Sequence, residues 1–148
     1  MKKLSIAVLL GACLASPAMA LEHEVVIEHA AGTIAADYAG TVKVATRQVG
    51  SAGVAGRPST LRCIWTASLS VERIAKVGEN LSSRRSMTGD DVASGSRPGW
   101  CQTQANAIDR LVDSRRETFR TAMLELVAQD RSAILAEADS LRATNREG

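Results

Sequence analysis

Two cysteines, Cys63 and Cys101, offer the clearest chemistry that residue type and spacing predict in this chain. No Cys-x-x-Cys motif is present, so a catalytic thiol pair is not indicated. An even pair of cysteines in an exported chain is typical of a disulfide. We therefore predict a Cys63–Cys101 bond, which would contribute about 3–4 kcal/mol to the free energy of unfolding by closing a long loop.

Histidine suggests a second chemistry, at the amino terminus that signal cleavage would create. Cleavage after Ala20 would leave Leu21-Glu22-His23 as the first residues. A free amine, two amide nitrogens and an imidazole can chelate Cu(II) or Ni(II) in a square plane, so His23 is a candidate metal ligand. The alternative is an ordinary histidine near a frayed terminus. The other histidine, His29, lies about 20 Å further along a strand, too far to share the ion.

Basic residues concentrate between positions 57 and 97, where seven bases stand against four acids. Arg84 and Arg85 are adjacent there, and we interpret them as a candidate anion-binding site for lipid headgroups or polyanionic sugars. A mixed solvated surface is the alternative. The seven bases are Arg57, Arg62, Arg73, Lys76, Arg84, Arg85 and Arg97.

Residues 89–99 are rich in Gly, Ser and Asp, and we predict that they form a loop. Ser96 does not fit the nucleophile motif Gly-x-Ser-x-Gly, and Asp90-Asp91 is not followed by calcium-ligand spacing. With no catalytic constellation and no cofactor motif, the sequence predicts a non-enzymatic protein. An envelope enzyme or inhibitor that uses this loop is the alternative, and clustering of Glu79 with the two aspartates would favour it.

The first 20 residues have the features of a secretory signal peptide. Two lysines precede an apolar run, and Ala18-Met19-Ala20 supplies small residues for cleavage. We predict a mature single domain of residues 21–148, located in the periplasm or secreted. Leu10-Gly11-Ala12-Cys13 is similar to a bacterial lipobox, so a lipoprotein anchored at Cys13 is the alternative.

Signal removal changes the charge balance. The full chain of 148 residues carries 18 basic and 16 acidic residues, and loss of Lys2 and Lys3 leaves 16 of each. A neutral mature domain gives no support for nucleic-acid binding. We see no transmembrane segment after signal cleavage. The predicted partner is therefore an unknown envelope protein or an anionic envelope component, bound through a sheet edge or a helix.

Strands must position most of these residues, because apolar and polar residues alternate over much of the chain. The alternation is most regular over residues 59–77, with Cys63 and Trp65 on the buried side. Residues 24–29 and 33–49 also alternate, and Gly40 suggests a bulge or bend in the second of these strands. Residues 81–88 form a weaker, polar candidate for a fourth strand.

The composition then becomes helical, since residues 100–147 contain no Gly and no Pro. Apolar residues recur at helical spacing, and a polar patch at residues 129–132 predicts a break or bend. The fold predicted is α+β: an antiparallel meander of three to four strands (about 24–88) covered by a long C-terminal helix or helix pair (about 100–144). Trp65 and Trp100 are predicted to be buried around the disulfide.

Overall fold

A computed structural model describes residues 19–79 and 81–148. The predicted signal peptide lies almost wholly outside the described residues, as does the candidate lipid-anchored residue Cys13. Four strands and two helices follow one another in sequence: β1 Ala20–Ile27, β2 Ile34–Val49, β3 Arg62–Val77, β4 Leu81–Pro98, α1 Cys101–Ser114 and α2 Arg116–Arg146.

The strands form one antiparallel sheet in the order β1-β2-β3-β4. Both helices pack on one face of this sheet, because the alternating apolar residues of β2 and β3 all point to that side. Phe119 and Met123 of α2 and Ile108 of α1 are almost fully buried there. The predicted meander covered by a helix pair is confirmed, and so is the Cys63–Cys101 disulfide, with Cα atoms 4.8 Å apart.

The prediction of a loop at residues 89–99 is wrong, since β4 continues to Pro98. Small residues here serve close packing rather than a turn. A Cβ atom added at Gly95 would lie 2.9 Å from Nε1 of Trp65, so only glycine lets the strand cross the buried indole. Gly, Ser and Asp resemble loop composition, yet the strand forms because it pairs along β3.

Of the bulge or bend predicted at Gly40, the bulge is wrong, because pairing with both neighbouring strands continues through this residue. Gly40 instead allows Leu69 and Met123 to pack closely, each 3.3 Å from where a Cβ would stand. The irregularity lies in β4, where residues 90–92 stand opposite Ser68 alone. Asp91 has a positive φ of 49° within this bulge.

The helical region breaks at Arg115 and not at residues 129–132, through which α2 is continuous. The polar patch reflects a buried carboxylate, Asp130, rather than a helix end. The prediction that Trp100 is buried is also wrong, since this residue precedes α1 and is 53% exposed. Within the described residues, neither helix combines the length and apolarity that a membrane crossing requires.

Candidate functional site

A polar cluster lies between the sheet and α2, at the end of the sheet where β3 finishes. Its centre is Arg73, whose position in β3 is in phase with the apolar residues Val71 and Ala75. The alternation of the strand therefore points this guanidinium into the core, where it is fully buried. The cluster comprises Tyr38 from β2, Arg73 from β3, Ser83 and Arg85 from β4, and Asp130 and Glu137 from α2.

Arg73 is bound mainly by Glu137. Its two terminal nitrogens donate to the two carboxylate oxygens, each at 3.0 Å, which is the fork geometry that suits arginine and carboxylate. Its Nε lies 3.1 Å from Oδ2 of Asp130. That N–H is not aligned for a hydrogen bond, so the contact is electrostatic only.

Asp130 is satisfied by two other donors. The Tyr38 hydroxyl donates to Oδ2 and a terminal nitrogen of Arg85 donates to Oδ1, both at 3.0 Å. The cluster therefore balances two guanidinium groups against two carboxylates. Balance matters because an unpaired charge in such a buried position would be strongly destabilising.

The contacts shift the pKa values of three members. Burial acts to lower the pKa of Arg73, but the hydrogen bonds and charges of Glu137 and Asp130 outweigh it and raise that pKa. Hydrogen bonding from Arg73 lowers the pKa of Glu137 against the opposing effect of burial. Burial, and then the charge of Asp130, raise the pKa of Tyr38. These directions keep both ion-pair partners charged and the phenol protonated, which is the arrangement of a structural clamp.

Arg84 and Arg85, the candidate anion-binding pair, are not brought together. Adjacent residues of a strand point to opposite faces, so Arg85 reaches Asp130 under α2 while Arg84 lies on the outer face. Arg84 is exposed and stands 4.0 Å from Glu72. Arg73, one of the seven bases of this stretch, is buried. The basic residues therefore do not share one surface: Arg73 is buried, Arg85 lies against α2, and Arg84 is exposed on the outer face.

His23, the candidate metal ligand, lies in β1 opposite Tyr38. The extended strand does not wrap its nitrogens around one point, so chelation at a new terminus would require this end of β1 to unpair. His29 is elsewhere, with its Nε2 3.0 Å from Asp139 of α2. Within residues 19–79 and 81–148, no three His, Cys, Asp or Glu side chains come together as a metal site. Metal capture by the cleaved terminus stays a prediction.

The disulfide joins the start of β3 to the first residue of α1. Trp65 is buried, as predicted, in the same core cluster as Cys63, and the Arg115 guanidinium lies 5.5 Å from the Trp65 ring centroid. That distance is typical of a cation–π interaction. Arg115, at the break between the two helices, therefore lies over the buried indole of Trp65. Trp100, by contrast, is largely exposed.

The carboxylates of the enzyme or inhibitor hypothesis are separated. Glu79 follows the end of β3, whereas Asp90 and Asp91 lie in the β4 bulge, about 30 Å away along the strand, and all three are exposed. Asp90 does line a cavity of about 620 Å³ between the bulge and α2, which also includes Glu125. Glu79 does not take part, so the clustering that would favour this hypothesis is absent from the described residues.

Among the described residues, the sheet has an open edge at the other end of β2. β1 pairs with β2 only as far as Ala20 and Thr41, apart from one further hydrogen bond from Val42 to the Met19 carbonyl at 3.4 Å. β2 continues to Val49 along β3. Within the part of the chain that the structure describes, residues 43–49 thus have a strand neighbour on one side only.

A cavity of about 310 Å³ adjoins this open edge beneath α1. Its sheet side is formed by Val44 and Thr46, both of which are exposed although they point to the helix-covered face. Its helix side includes Ala105 and Ile108. Among the described residues, no strand covers this recess, whose lining mixes apolar side chains with Gln102 and Asp109.

Sequence reasoning missed Arg73, Asp130 and Glu137 as a unit. One signal was available: Arg73 interrupts the apolar phase of an otherwise regular strand, which is unusual unless the charge is paired. The identity of its partners was not available, because Glu137 is 64 positions away. Compared with family models, curated proteins and solved structures, the chain shows no match. Its function must therefore be argued from its own geometry.

Proposed function

We propose that this chain is a small exported, non-enzymatic envelope protein that binds a partner protein by adding an extended segment of that partner to its sheet. The observation that carries the proposal is that residues 43–49 of β2 have, among the described residues, a strand neighbour on one side only, so that removal of the predicted signal peptide would leave an open edge there. The predicted signal peptide and the disulfide support an oxidising compartment. β-strand addition is a general mode of recognition in which main-chain hydrogen bonds supply affinity and side-chain pockets supply specificity.

The open edge presents backbone groups in the correct direction. The N–H of Val42 points towards β1, since it donates to the Met19 carbonyl. Backbone groups alternate in direction along a strand, so those of Val44 and Thr46 point the same way, into the open edge. An added antiparallel strand would satisfy these groups and continue the line of β1.

This edge differs from the two outer edges of the sheet. β4 carries the bulge at residues 90–92, together with Arg84 and Arg85, and such features discourage pairing with another chain. β1 is only eight residues long. At residues 43–49, by contrast, an added strand would be covered on its inner face by α1 and would exclude water from the cavity there.

Side-chain chemistry indicates what the partner segment contains. Lys43 and Arg47 are exposed on the outer face of the open edge, and neither forms an ion pair with another described residue. The inner face offers Val44 and a wall of α1 in which Ala105 and Ile108 are apolar and Gln102 and Asp109 are polar. A strand that alternates acidic and apolar residues would match both faces, because strand side chains alternate in direction. This agrees with the predicted anionic or protein partner.

The test uses purified residues 21–148 with the disulfide intact. The probe is a labelled peptide that alternates valine and glutamate and matches residues 43–49 in length, and binding is followed by fluorescence anisotropy. Thr46→Pro removes an outward N–H without taking a bond from the β2–β3 ladder, so we expect affinity to fall about tenfold. Ser86→Pro, which by the same alternation removes an outward N–H from β4, is the matched control and should bind normally.

Two results would contradict the proposal. Equal binding by the Thr46→Pro and Ser86→Pro variants would show that the peptide does not use the β2 edge. If a peptide with lysine in place of glutamate bound as tightly, the proposal that the partner segment is acidic would be wrong.

Export has its own test, the intact mass of the natural product. It should correspond to a chain that begins at Leu21 and gains two hydrogens on reduction, whereas a lipid-modified mass beginning at Cys13 would favour the lipoprotein alternative.

A further inference from the structure

Another cavity, of about 310 Å³, lies at the opposite end of the sheet from residues 43–49, under the last turns of α2. We call it the C-terminal cavity. Its walls come from the end of β3, the start of β4 and the C-terminal half of α2, with Ile34 at the start of β2. It is lined by Ile34, Ala75, Val77, Leu81, Ser82, Ser83, Ile134, Glu137, Ser140, Leu141 and Thr144.

One end of the C-terminal cavity is a carboxylate with spare accepting capacity. Glu137 is held by Arg73 and Ser83, yet its side chain is 39% exposed. Counting donors among the described residues, its Oε2 accepts from both Arg73 and Ser83, whereas its Oε1 accepts one bond, from Arg73. Because a carboxylate oxygen has two lone pairs, Oε1 can accept a further donor.

The hydroxyl groups around Glu137 add acceptors and few donors. Ser83 donates its hydroxyl proton to Glu137 at 2.7 Å. Ser140 and Thr144 donate theirs to main-chain carbonyls of α2, each at 3.0 Å. These three oxygens can therefore offer only lone pairs to a ligand. The side chains of Ile34, Val77 and Leu141 make the remaining wall mostly apolar.

We propose that the C-terminal cavity binds a small amphipathic amine: a compact apolar body that carries one ammonium group. The ammonium has three donors and a positive charge, which match the ionised carboxylate and the neighbouring acceptors. The apolar body fits the aliphatic wall, as in other small-molecule sites with few polar groups. An acidic ligand is disfavoured, since Arg73 already has both terminal nitrogens on Glu137. This site is separate from the open edge and does not rest on the proposed partner.

The test compares three probes of nearly equal shape at neutral pH: cyclohexylamine, cyclohexanol and cyclohexanecarboxylate. Binding to disulfide-bonded residues 21–148 is measured by amide chemical-shift titration. We expect the amine to shift amides around Val77 and Leu141 and to bind at least about tenfold more tightly than either other probe. Leu141→Trp and Thr144→Trp, which fill the cavity from its wall and from its exposed mouth, should each abolish those shifts.

Ala128→Trp is the matched control, because Ala128 is exposed on α2 and does not line the cavity. It should leave amine binding unchanged. Shifts that survive in the folded Thr144→Trp variant would overturn the proposal, and so would no amine-induced shift at all. If cyclohexanol or cyclohexanecarboxylate bound as tightly as the amine, the assignment of an ammonium ligand would be wrong.

Discussion

Where β3 ends and β4 begins, α2 is attached to the sheet by ions: Arg73 and Arg85 hold the carboxylates of Asp130 and Glu137. Where β2 ends and β3 begins, α1 is attached by a covalent bond between Cys63 and Cys101. The ionic attachment needs arginines from the sheet and carboxylates from α2, and α2 covers the strands that carry those arginines. The covalent attachment fixes α1 at a single point and leaves residues 43–49 beside an open recess. The difference suggests that the ionic end maintains the fold, whereas the covalent end can keep the proposed binding edge available without unfolding.

The largest effect should follow from breaking the ionic end at its centre. Arg73→Met leaves Asp130 and Glu137 without their buried cation, so we expect the free energy of unfolding to fall by about 3–5 kcal/mol. Arg84→Met, the same change on the exposed outer face, should cost less than about 1 kcal/mol. Urea denaturation of both variants measures the difference. Equal losses would mean that the polar cluster does not stabilise the fold.

The covalent end should be slightly less costly to break. Replacing both Cys63 and Cys101 by Ala opens a loop with a sequence separation of 38, which the chain-entropy model values at about 3–4 kcal/mol. Hydrogen exchange should quicken more in α1 than around Asp130 in α2. Reductant should destabilise the wild type but not the double variant. A uniform rise of exchange in both helices would contradict the separation of the two ends.

The pH dependence of the free energy of unfolding sharpens the comparison, because the ionic attachment contains a carboxylate that titrates and the disulfide does not titrate. The pKa of Glu137 is lower in the folded protein than the unfolded value of 4.5. Its contribution to stability is therefore present above about pH 4.5 and is lost as pH falls through the folded-state pKa. Glu137→Gln should flatten this acid limb in urea denaturation. An unchanged slope would show that Glu137 does not supply it.

Tyr38 should make the free energy of unfolding depend on pH on the alkaline side, in the opposite direction from Glu137. Its pKa is raised above the unfolded value of 10.0, so the folded protein keeps a proton that the unfolded chain releases. Stability from this group is present below about pH 10 and declines as pH rises further. Tyr38→Phe should remove that decline, as measured by urea denaturation across the alkaline range. A decline of the same steepness in the variant would contradict the role of the phenol.

The smallest effect should come from Arg115, which stacks on Trp65 near the disulfide. Arg115→Ala should lower the free energy of unfolding by about 0.5–1 kcal/mol, the usual range for an exposed cation–π contact. Arg110→Ala, on the exposed side of α1, is the control and should be close to neutral. Tryptophan fluorescence during urea denaturation follows both. Equal effects would indicate that the stacking contributes nothing to stability.

Much of the fold could be predicted because its signals are local. The alternation of Cys63, Trp65 and Leu69 determines the buried face of β3, and the stretch without Gly or Pro after Trp100 determines a helical region. The cysteine pair then limits how the two can be joined. Residues 89–98 could not be read in this way, since their small side chains are explained only by the Trp65 indole that they cross.

The candidate sites required contacts between distant positions. By itself the sequence determined the periods of its strands and helices, because side-chain direction repeats within a few residues. Only the tertiary structure decided that Arg73 meets Glu137 and that Arg85, and not Arg84, is the one of the pair that lies under α2 and meets Asp130. Each of these depends on the register between strands or on which part of α2 lies over them, and no single segment of the chain contains that information.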